Sequence, residues 1–191
     1  MKHADRKQVT REALIASATA EIGENGISGA SVRRITERAG YTQGAFYSNF
    51  KTRNALLEAV LERQMRGRLE QMGAILWGGG PVDVIVERLR LWLRSMQDNP
   101  SGTIVMLEFQ VHSLRDPAFG ATYDRLRAAQ HDLIARALEK LRAEHDLETK
   151  LPPLLMALGF SALWSGFALQ GKISNDIQAD ELIGAFMQAL I

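Results

Sequence analysis

The chain has 191 residues, 46% of them hydrophobic and 24% charged, which are ordinary values for a globular protein and exclude wholesale disorder. It contains no cysteine, so a disulfide scaffold is excluded, and the charged start, "MKHADRKQVTREALIASA", has no apolar core typical of a secretory signal. We therefore expect a cytoplasmic protein. The net charge is only +1, but residues 1–53 carry nine cations and five anions, whereas the remainder carries 14 cations and 17 anions. This asymmetry predicts a polyanionic partner for the N-terminal part.

Almost every segment shows helical periodicity, and no run of alternating β-branched residues predicts a strand. In chain order, helices are predicted over Gln8–Asn25, Ser31–Gly40, Thr42–Ser48, a long segment from Thr52, Val82–Gln97, Thr103–Ser113, Pro117–His145, Pro153–Gln170 and Asp180–Leu190. Gly26 and Gly40 are expected to end the first two helices, while Ser31 and Thr42 are expected to cap the second and third. The fold class is therefore all-α, with about nine helices.

The clearest break in the chain is "GGGP" at Gly78–Pro81, which separates the first four helices from the rest. The first three helices are short and form a predicted domain over residues 1–53. The predicted second domain covers residues 54–191, and its first helix, at about 54–73, connects the two. There is no internal repeat.

The stretch "AGYTQGAFYSNFKTRNALLEAV", Ala39–Val60, combines aromatic, amide and hydroxyl side chains in a few turns. A helix, a tight turn with Gly and a short second helix make a helix-turn-helix, whose second helix enters a major groove of DNA. Phe46 and Phe50 are four residues apart, so both are expected to face the core. The other side of this helix would then face outwards, where an amide such as Gln43 pairs with adenine. The residues expected on that side are Thr42, Gln43, Ala45, Ser48 and Asn49. The alternative is an ordinary solvated face.

Cations and a phenol surround this helix, and they suit DNA phosphates. Lys51 and Arg53 stand at the start of the fourth helix, where backbone N–H groups also favour anions. Arg33 lies in the first turn of the second helix, where the helix dipole disfavours a cation. Such contacts would set register and affinity, while the third helix reads sequence. The alternative for the arginines is plain surface charge, and for Tyr47 a half-buried position in the core.

From Arg11 to Leu57 the chain resembles the DNA-binding domain of the TetR family of transcriptional regulators. The segment "ITERAGYTQGAFYSNF", Ile35–Phe50, follows that family's I-A-x-x-A-G-V-S-x-G-x-x-Y-x-H-F pattern in order and spacing. The resemblance implies a ligand-responsive repressor that binds a palindromic double-stranded DNA operator as a homodimer and is released by a small molecule. It implies DNA contacts by Arg33, Thr42, Gln43, Gly44, Ala45, Tyr47, Ser48, Asn49, Lys51 and Arg53.

A dimer surface is predicted on the last two helices, because the apolar surface of the penultimate helix wraps more than one stripe. Two such helices from each subunit would form a four-helix bundle. The residues expected in it are Leu155, Leu158, Ala162, Ser165, Leu169, Leu182, Phe186 and Leu190. The alternative is that they fill each subunit's own core. Residues 151–171 carry no charge and are long enough to span a bilayer, but two prolines, Ser165 and Gln170 favour a helix packed in protein.

A pocket for a largely apolar effector is predicted among the helices of the second domain. Met and aromatic side chains line adaptable apolar sites, with a few polar groups to orient the ligand. The candidates are Trp92, Met96, Met106, Phe109, His112, Tyr123, Trp164 and Phe167. The alternative is that most of them are core residues.

Parts of the sequence are also compatible with two functions other than a transcriptional regulator. Glu108, His112 and Asp116 recur every four residues and could form an acid–base cluster of a helical enzyme. However, Pro117 follows at once, so Asp116 is expected to be an N-cap, and neither a cofactor fingerprint nor the spacing of a metal site accompanies them. We therefore expect no enzyme activity, no cofactor and no metal. The other alternative is a helical adaptor protein, whose binding would lack the steep salt dependence of DNA binding.

Overall fold

A computed structural model describes residues 3–98, 100–170 and 181–185, and within these ranges the chain contains helices and no strand. The helices are α1 His3–Gly29, α2 Val32–Ala39, α3 Gln43–Asn49, α4 Arg53–Leu76, α5 Val82–Asp98, α6 Ser101–Ser113, α7 Pro117–His145 and α8 Pro153–Gln170. Residues 181–185 are also helical. The all-α prediction of about nine helices is confirmed.

The chain divides into two compact units. The first, here called the head unit, consists of the residues up to Gln64 together with Ile104–Asp124. The second, the body unit, consists of Met65–Thr103 and the residues from Arg125 onwards. The division falls inside α4, α6 and α7 rather than at residue 53. Part of α6 and the start of α7 therefore belong with the N-terminal helices, which the sequence did not indicate.

Hydrogen-bonded caps fix the ends of α2 and α3 at the predicted residues. Oγ of Ser31 accepts a hydrogen bond from the backbone N–H of Arg34 at 3.3 Å, and Oγ1 of Thr42 accepts one from the N–H of Ala45 at 3.1 Å. Gly40 ends α2 with φ 72°, a left-handed conformation that costs a residue with a Cβ about 1 kcal/mol or more. The turn between α2 and α3 is therefore fixed locally. Behind it lies a core of Leu14, Ala18, Ile22, Ile35, Phe46 and Phe50.

The C-terminal end of α1 is held by two other helices of the head unit. Gly26 has φ 68° and breaks the helical geometry, and α1 resumes beyond it to Gly29, so the predicted end at Gly26 is a kink. The kink frees the backbone N–H of Ile27, which donates to Oε2 of Glu108 in α6 at 2.8 Å. Arg53 of α4 donates to the carbonyl oxygen of Ile27 and, at 3.0 Å, to that of Ala30. Residues 26–30 therefore lie between a carboxylate and a guanidinium.

The start of α7 is capped by Asp116, as predicted. Its Oδ1 accepts the backbone N–H groups of Ala118 at 3.0 Å and Phe119 at 3.1 Å, and its Oδ2 accepts Nδ2 of Asn54 at 2.9 Å. The bond from Phe119, with help from Asn54 and Ala118, lowers the pKa of this carboxyl. Asp116 thus links the start of α7 to the start of α4 within the head unit.

The body unit has its own hydrophobic core, built from α4, α5, α7, α8 and the helical residues 181–185. Its buried members include Met72, Leu76, Ile85, Leu93, Ile134, Leu141, Phe160, Phe167 and Ile183. Trp92 and Trp164 are partly buried against them. Leu69, Met72 and Leu76 of α4 contribute an apolar stripe to this core.

The kink gives a prediction with a matched control on another helix. Gly26→Ala should destabilise the protein by about 1–2 kcal/mol, because alanine is unfavourable at positive φ. The new Cβ would also stand 3.1 Å from Oε2 of Glu108. Gly67→Ala in the middle of α4, where a Cβ meets nothing within 4 Å, should instead stabilise by about 1 kcal/mol. Urea denaturation of the two variants measures both effects, and equal effects would contradict the kink.

Candidate nucleic-acid interface and effector cavity

The short helix α3 has one buried and one exposed face. Phe46 and Phe50 are buried, with ring centroids 5.8 Å apart, and the guanidinium of Arg11 lies 4.3 Å from the centroid of Phe50. Gln43 and Ser48 are exposed on the other face. The two aromatic residues thus fix α3 to the head core and leave its polar side open, as the sequence predicted.

Gly44 lies on the exposed face of α3, and because it has no side chain the helix backbone is accessible there. A Cβ built there would meet only Oγ1 of Thr42, at 3.6 Å, which is an ordinary contact. Glycine is therefore not required at this position by the fold, although it costs about 1 kcal/mol of helix stability relative to alanine. An approach of another molecule to the helix backbone accounts for it better than packing does.

The remaining candidates for base contacts differ in whether their polar groups are already used in hydrogen bonds within α3. Thr42 uses its hydroxyl as the N-cap, and Ala45 is half-buried. Oγ of Ser48 donates to the carbonyl oxygen of Ala45 at 2.8 Å, and Nδ2 of Asn49 donates to the same oxygen at 2.8 Å. Oδ1 of Asn49 is buried without a hydrogen-bond partner among the described residues. Asn49 thus turns towards its own helix, so it is the weakest base-contact candidate of the set.

The candidates for phosphate contacts fall into two groups. Tyr47 is 58% exposed beside Phe46, Lys51 is exposed, and Arg33 is exposed while paired with Glu37 at 2.8 Å. Arg53 is different, because its donors are directed at the carbonyl groups of α1 and burial lowers the pKa of its guanidinium. The structure thus gives Arg53 a role in holding the head together that the sequence did not indicate.

A buried carboxylate joins α1 to α2, and sequence reasoning missed it. Glu21 is 4% exposed, and it accepts from Nε of Arg38 at 2.7 Å, Nε of Arg34 at 3.1 Å and Nδ2 of Asn25 at 3.0 Å. Glu21 stands three and seven residues after Ala18 and Leu14, on the apolar face of α1, and this position was the available signal. The pairing explains why Arg34 stands in the first turn of α2 in spite of the helix dipole, whereas Arg38 lies in the last turn, where the dipole favours a cation.

Two comparisons with protein families match this architecture. Residues 14–60 match the bacterial regulatory proteins of the tetR family, and residues 81–191 match the C-terminal domain of BetI-type transcriptional repressors. The chain belongs to the TetR family. The second match alone covers more than half of the sequence.

The regulator is similar to known proteins over almost its whole length. It is 28% identical to the transcriptional repressor NemR of Escherichia coli over 189 residues, which is 95% of this chain and 94% of NemR. The crystal structure of the reduced form of NemR superposes with a TM-score of 0.80 at 25% identity, covering 95% of this chain and 96% of that one.

Two other solved structures share the fold. A TetR-family regulator from Rhodococcus sp. has a TM-score of 0.80 at 25% identity, covering 96% of this chain and 98% of its own. SmeT of Stenotrophomonas maltophilia has a TM-score of 0.68 at 22% identity, covering 94% of this chain and 87% of its own, which shows the fold alone. The family matches and the similarity to NemR make the chain a ligand-responsive, DNA-binding transcriptional repressor.

The predicted dimer residues of α8 form one exposed stripe. Leu155 and Leu158 are 51% and 41% exposed, and Ala162 and Leu169 are exposed too, whereas Ser165 is half-buried. The helix buries Met156, Ala157, Phe160 and Phe167 on its other side. By length and composition α8 could span a membrane, and 17% of it is buried within the described chain. Leu182 is 40% exposed, and Phe186 and Leu190 lie outside the described residues.

The eight candidate ligand-binding residues divide between the two units. Met106, Phe109, His112 and Tyr123 belong to the head unit, where Phe109 stacks on Phe119 with ring centroids 5.5 Å apart. Met106, Phe109 and Tyr123 are buried in the head unit, and His112 is half-buried there. Trp92, Met96, Trp164 and Phe167 belong to the body unit, where Nε1 of Trp92 donates to Oε1 of Gln71 at 2.9 Å.

Among the described residues of the body unit, two small cavities are found, and neither is lined by any of the eight. A cavity of about 20 Å³ is lined by Met72, Leu76, Leu89, Ile134, Leu138, Met156 and Phe160. A second, of about 40 Å³, is lined by Val82, Ile85, Val86, Leu138, Leu141, Arg142, Leu147, Thr149 and Met156. Because a cavity of about 10–15 Å³ already holds a water molecule, neither has room for an effector until side chains move.

Two of the three residues of the possible acid–base cluster, Glu108 and Asp116, make structural hydrogen bonds. Glu108 accepts from the end of α1 and Asp116 caps α7, as described above. Nε2 of His112 lies 4.0 Å from Oδ2 of Asp116, beyond hydrogen-bond distance. Within the described ranges, no group of three His, Asp or Glu residues could hold a metal ion.

One buried titratable group in the body unit predicts a pH dependence of stability. Burial lowers the pKa of His131 below its usual 6.5, and the charge of Arg127 lowers it further. The unfolded chain therefore takes up a proton near pH 6.5 that the folded chain resists, so the free energy of unfolding falls as the pH drops below that value. His131→Leu should make this fall shallower between pH 7 and pH 5. Urea denaturation at pH 7, 6 and 5 tests it, and unchanged slopes would contradict the burial.

Proposed function

We propose that the regulator binds a palindromic operator as a homodimer in the bacterial cytoplasm and leaves it when a small, largely apolar effector binds the body unit. The observation that supports the DNA contact best is the two-sided character of α3, with Phe46 and Phe50 buried and Gln43, Gly44 and Ser48 exposed. A recognition helix needs this arrangement, because its buried face must fix its position in the domain while its exposed face carries the polar groups that contact base edges.

Within α3, Gln43 is the principal residue that we expect to read a base. Its exposed amide presents a donor and an acceptor, which match N7 and N6 of adenine. Ser48 and Ala45 provide a hydroxyl and a methyl group, and Gly44 allows the helix backbone to approach the groove edge. Asn49 would join them only if its amide turned away from the carbonyl of Ala45.

Phosphate contacts are assigned to Arg33, Tyr47 and Lys51, whose side chains are exposed around α3. Arg53 is proposed as a positioning residue, since it already donates to the carbonyl groups of Ile27 and Ala30. These contacts fix the register of the head on the duplex, and they carry no sequence information themselves.

Variants at a base-contact residue and at a phosphate-contact residue should change DNA binding in different ways. Gln43→Ala should reduce discrimination between operator and random DNA by about 1–3 kcal/mol, because it removes a base contact. Lys51→Ala should weaken both DNAs equally and reduce the salt slope of binding by about one. Gln97→Ala, an exposed change on α5, serves as the control. Fluorescence anisotropy over a salt series measures all three, and full discrimination by Gln43→Ala would remove that residue from the base-reading set.

The exposed stripe on α8 supports dimerisation. Apolar side chains at residues 155, 158, 162 and 169 are spaced by three, four and seven positions, so they share one face of the helix. A two-fold axis would bring two such faces together, and it would place two copies of α3 at successive major grooves, about 34–36 Å apart.

A charge in the stripe should separate the subunits. Leu158→Glu would bury two carboxylates in the proposed interface, so it should yield monomers. The loss of bivalent binding should raise the apparent operator Kd by about 10²-fold or more. Leu91→Glu, at a 57% exposed leucine on α5, is the control. Sedimentation and anisotropy test the pair, and a dimeric Leu158→Glu variant would refute this interface.

Release by an effector is proposed to act through α4. This helix runs unbroken from Arg53 to Leu76, so its start lies in the head unit and its end lines the body cavity through Met72 and Leu76. An effector must favour one state over the other by several kcal/mol to empty the operator. NemR was solved in a form described as reduced, but this sequence has no cysteine, so we propose a non-covalent effector.

A further inference from the structure

The two body cavities form one apolar system. They share Leu138 of α7 and Met156 of α8, so one side chain from each helix separates them. Methionine has three rotatable bonds and adapts readily, and a second methionine, Met72, also lines the smaller cavity. Rotation of Met156 and Leu138 would therefore join the two spaces without displacing a helix.

One buried polar group stands on the same face of α7 as the cavity wall. His131 precedes Ile134 by three residues and Leu138 by seven, and these spacings place all three on one side of a helix. His131 is only 8% exposed, and its Nε2 has no hydrogen-bond partner among the described residues. His131 itself lines neither cavity, but it stands one turn from Ile134 of the smaller one. A buried polar atom without a partner is unfavourable, which makes Nε2 of His131 a candidate for contact with a ligand that enlarges this cavity.

The charged residues near the two cavities disfavour a cationic ligand. None of the described lining residues is acidic, and the charged one among them, Arg142, is an exposed arginine at the larger cavity. A second arginine, Arg127, lies close enough to act on the charge of His131. A cationic ligand would thus lose its water shell and meet positive charge, and an anionic one would enter an aliphatic interior.

We propose that the effector is a compact, uncharged, mainly apolar molecule with one hydrogen-bonding group, such as an alcohol, phenol or ketone, which fills the joined cavities and bonds to Nε2 of His131. This inference rests on the proposed function, because it takes these cavities to be the effector site. Arg142 and Thr149 border the larger cavity and are not required to contact the molecule.

Three probes of equal chain length test the choice of charge. 1-Octanol, octanoate and octylammonium differ in their head groups, and calorimetry with the full chain at pH 7 gives a Kd for each. The expected result is that octanol binds at least tenfold more tightly than either ion. Equal or tighter binding of an ion, or no binding of octanol up to its solubility, overturns the proposal.

Variants locate the site. Leu138→Phe, and independently Leu89→Phe in the smaller cavity, fill space and should weaken octanol binding tenfold or more. Glu139→Leu, a change on the exposed side of α7, should leave the Kd unchanged. Unaltered binding in both phenylalanine variants would place the site elsewhere and refute the inference.

His131→Leu separates a ligand contact from a structural role. Loss of one hydrogen bond should weaken octanol binding about three- to tenfold, whereas the melting temperature should hold or rise because a buried polar atom without a partner is removed. A lower melting temperature with unchanged octanol affinity would mean a purely structural histidine. Operator binding is measured in parallel: a chain that binds its operator but prefers octylammonium refutes only this inference, and one that prefers octanol but binds no operator refutes only the proposed function.

Discussion

The burial of Phe46 and Phe50 behind α3 is the interaction on which the DNA-binding surface depends. A helix of seven residues is too short to be stable alone, so its position comes from packing. The two rings supply that packing from one side, with Arg11 against the second ring. The side chain of Gln43 on the polar side is therefore not needed for this packing, and it is available for the DNA contact proposed above.

Polar contacts then set where this helix stands in the head unit. Glu21 is buried against Arg34 and Arg38, which joins α1 to α2, and Glu108 and Arg53 hold the end of α1 from α6 and α4. Each of these groups has its charge or donors satisfied, as buried polar groups require. The basic character of the N-terminal residues therefore has two origins, since part of it serves folding and only part is exposed to a polyanion.

Much of this architecture follows from local sequence, and the rest depends on contacts that no local pattern contains. The caps at Ser31, Gly40 and Thr42 and the two faces of α3 were predicted correctly, because capping and helical periodicity act over a few residues. Arg53 was expected to contact phosphate only, since its partners in α1 lie 23 and 26 positions away. The eight residues predicted for the effector pocket line neither of the two body cavities described above, because composition does not distinguish the wall of a cavity from a core.

The contact between Glu108 and Ile27 spans 81 positions of the chain, and it bears on how the domain can be used. A fragment that stops after the helix-turn-helix would lack the carboxylate that receives the Ile27 amide and the Asp116 side chain that receives Asn54. If the N-terminal helices were fused to the body unit of another regulator, these donors would lose the acceptors that they have here. A chimera that keeps both contacts therefore has to include Ile104–Asp124 together with the N-terminal helices.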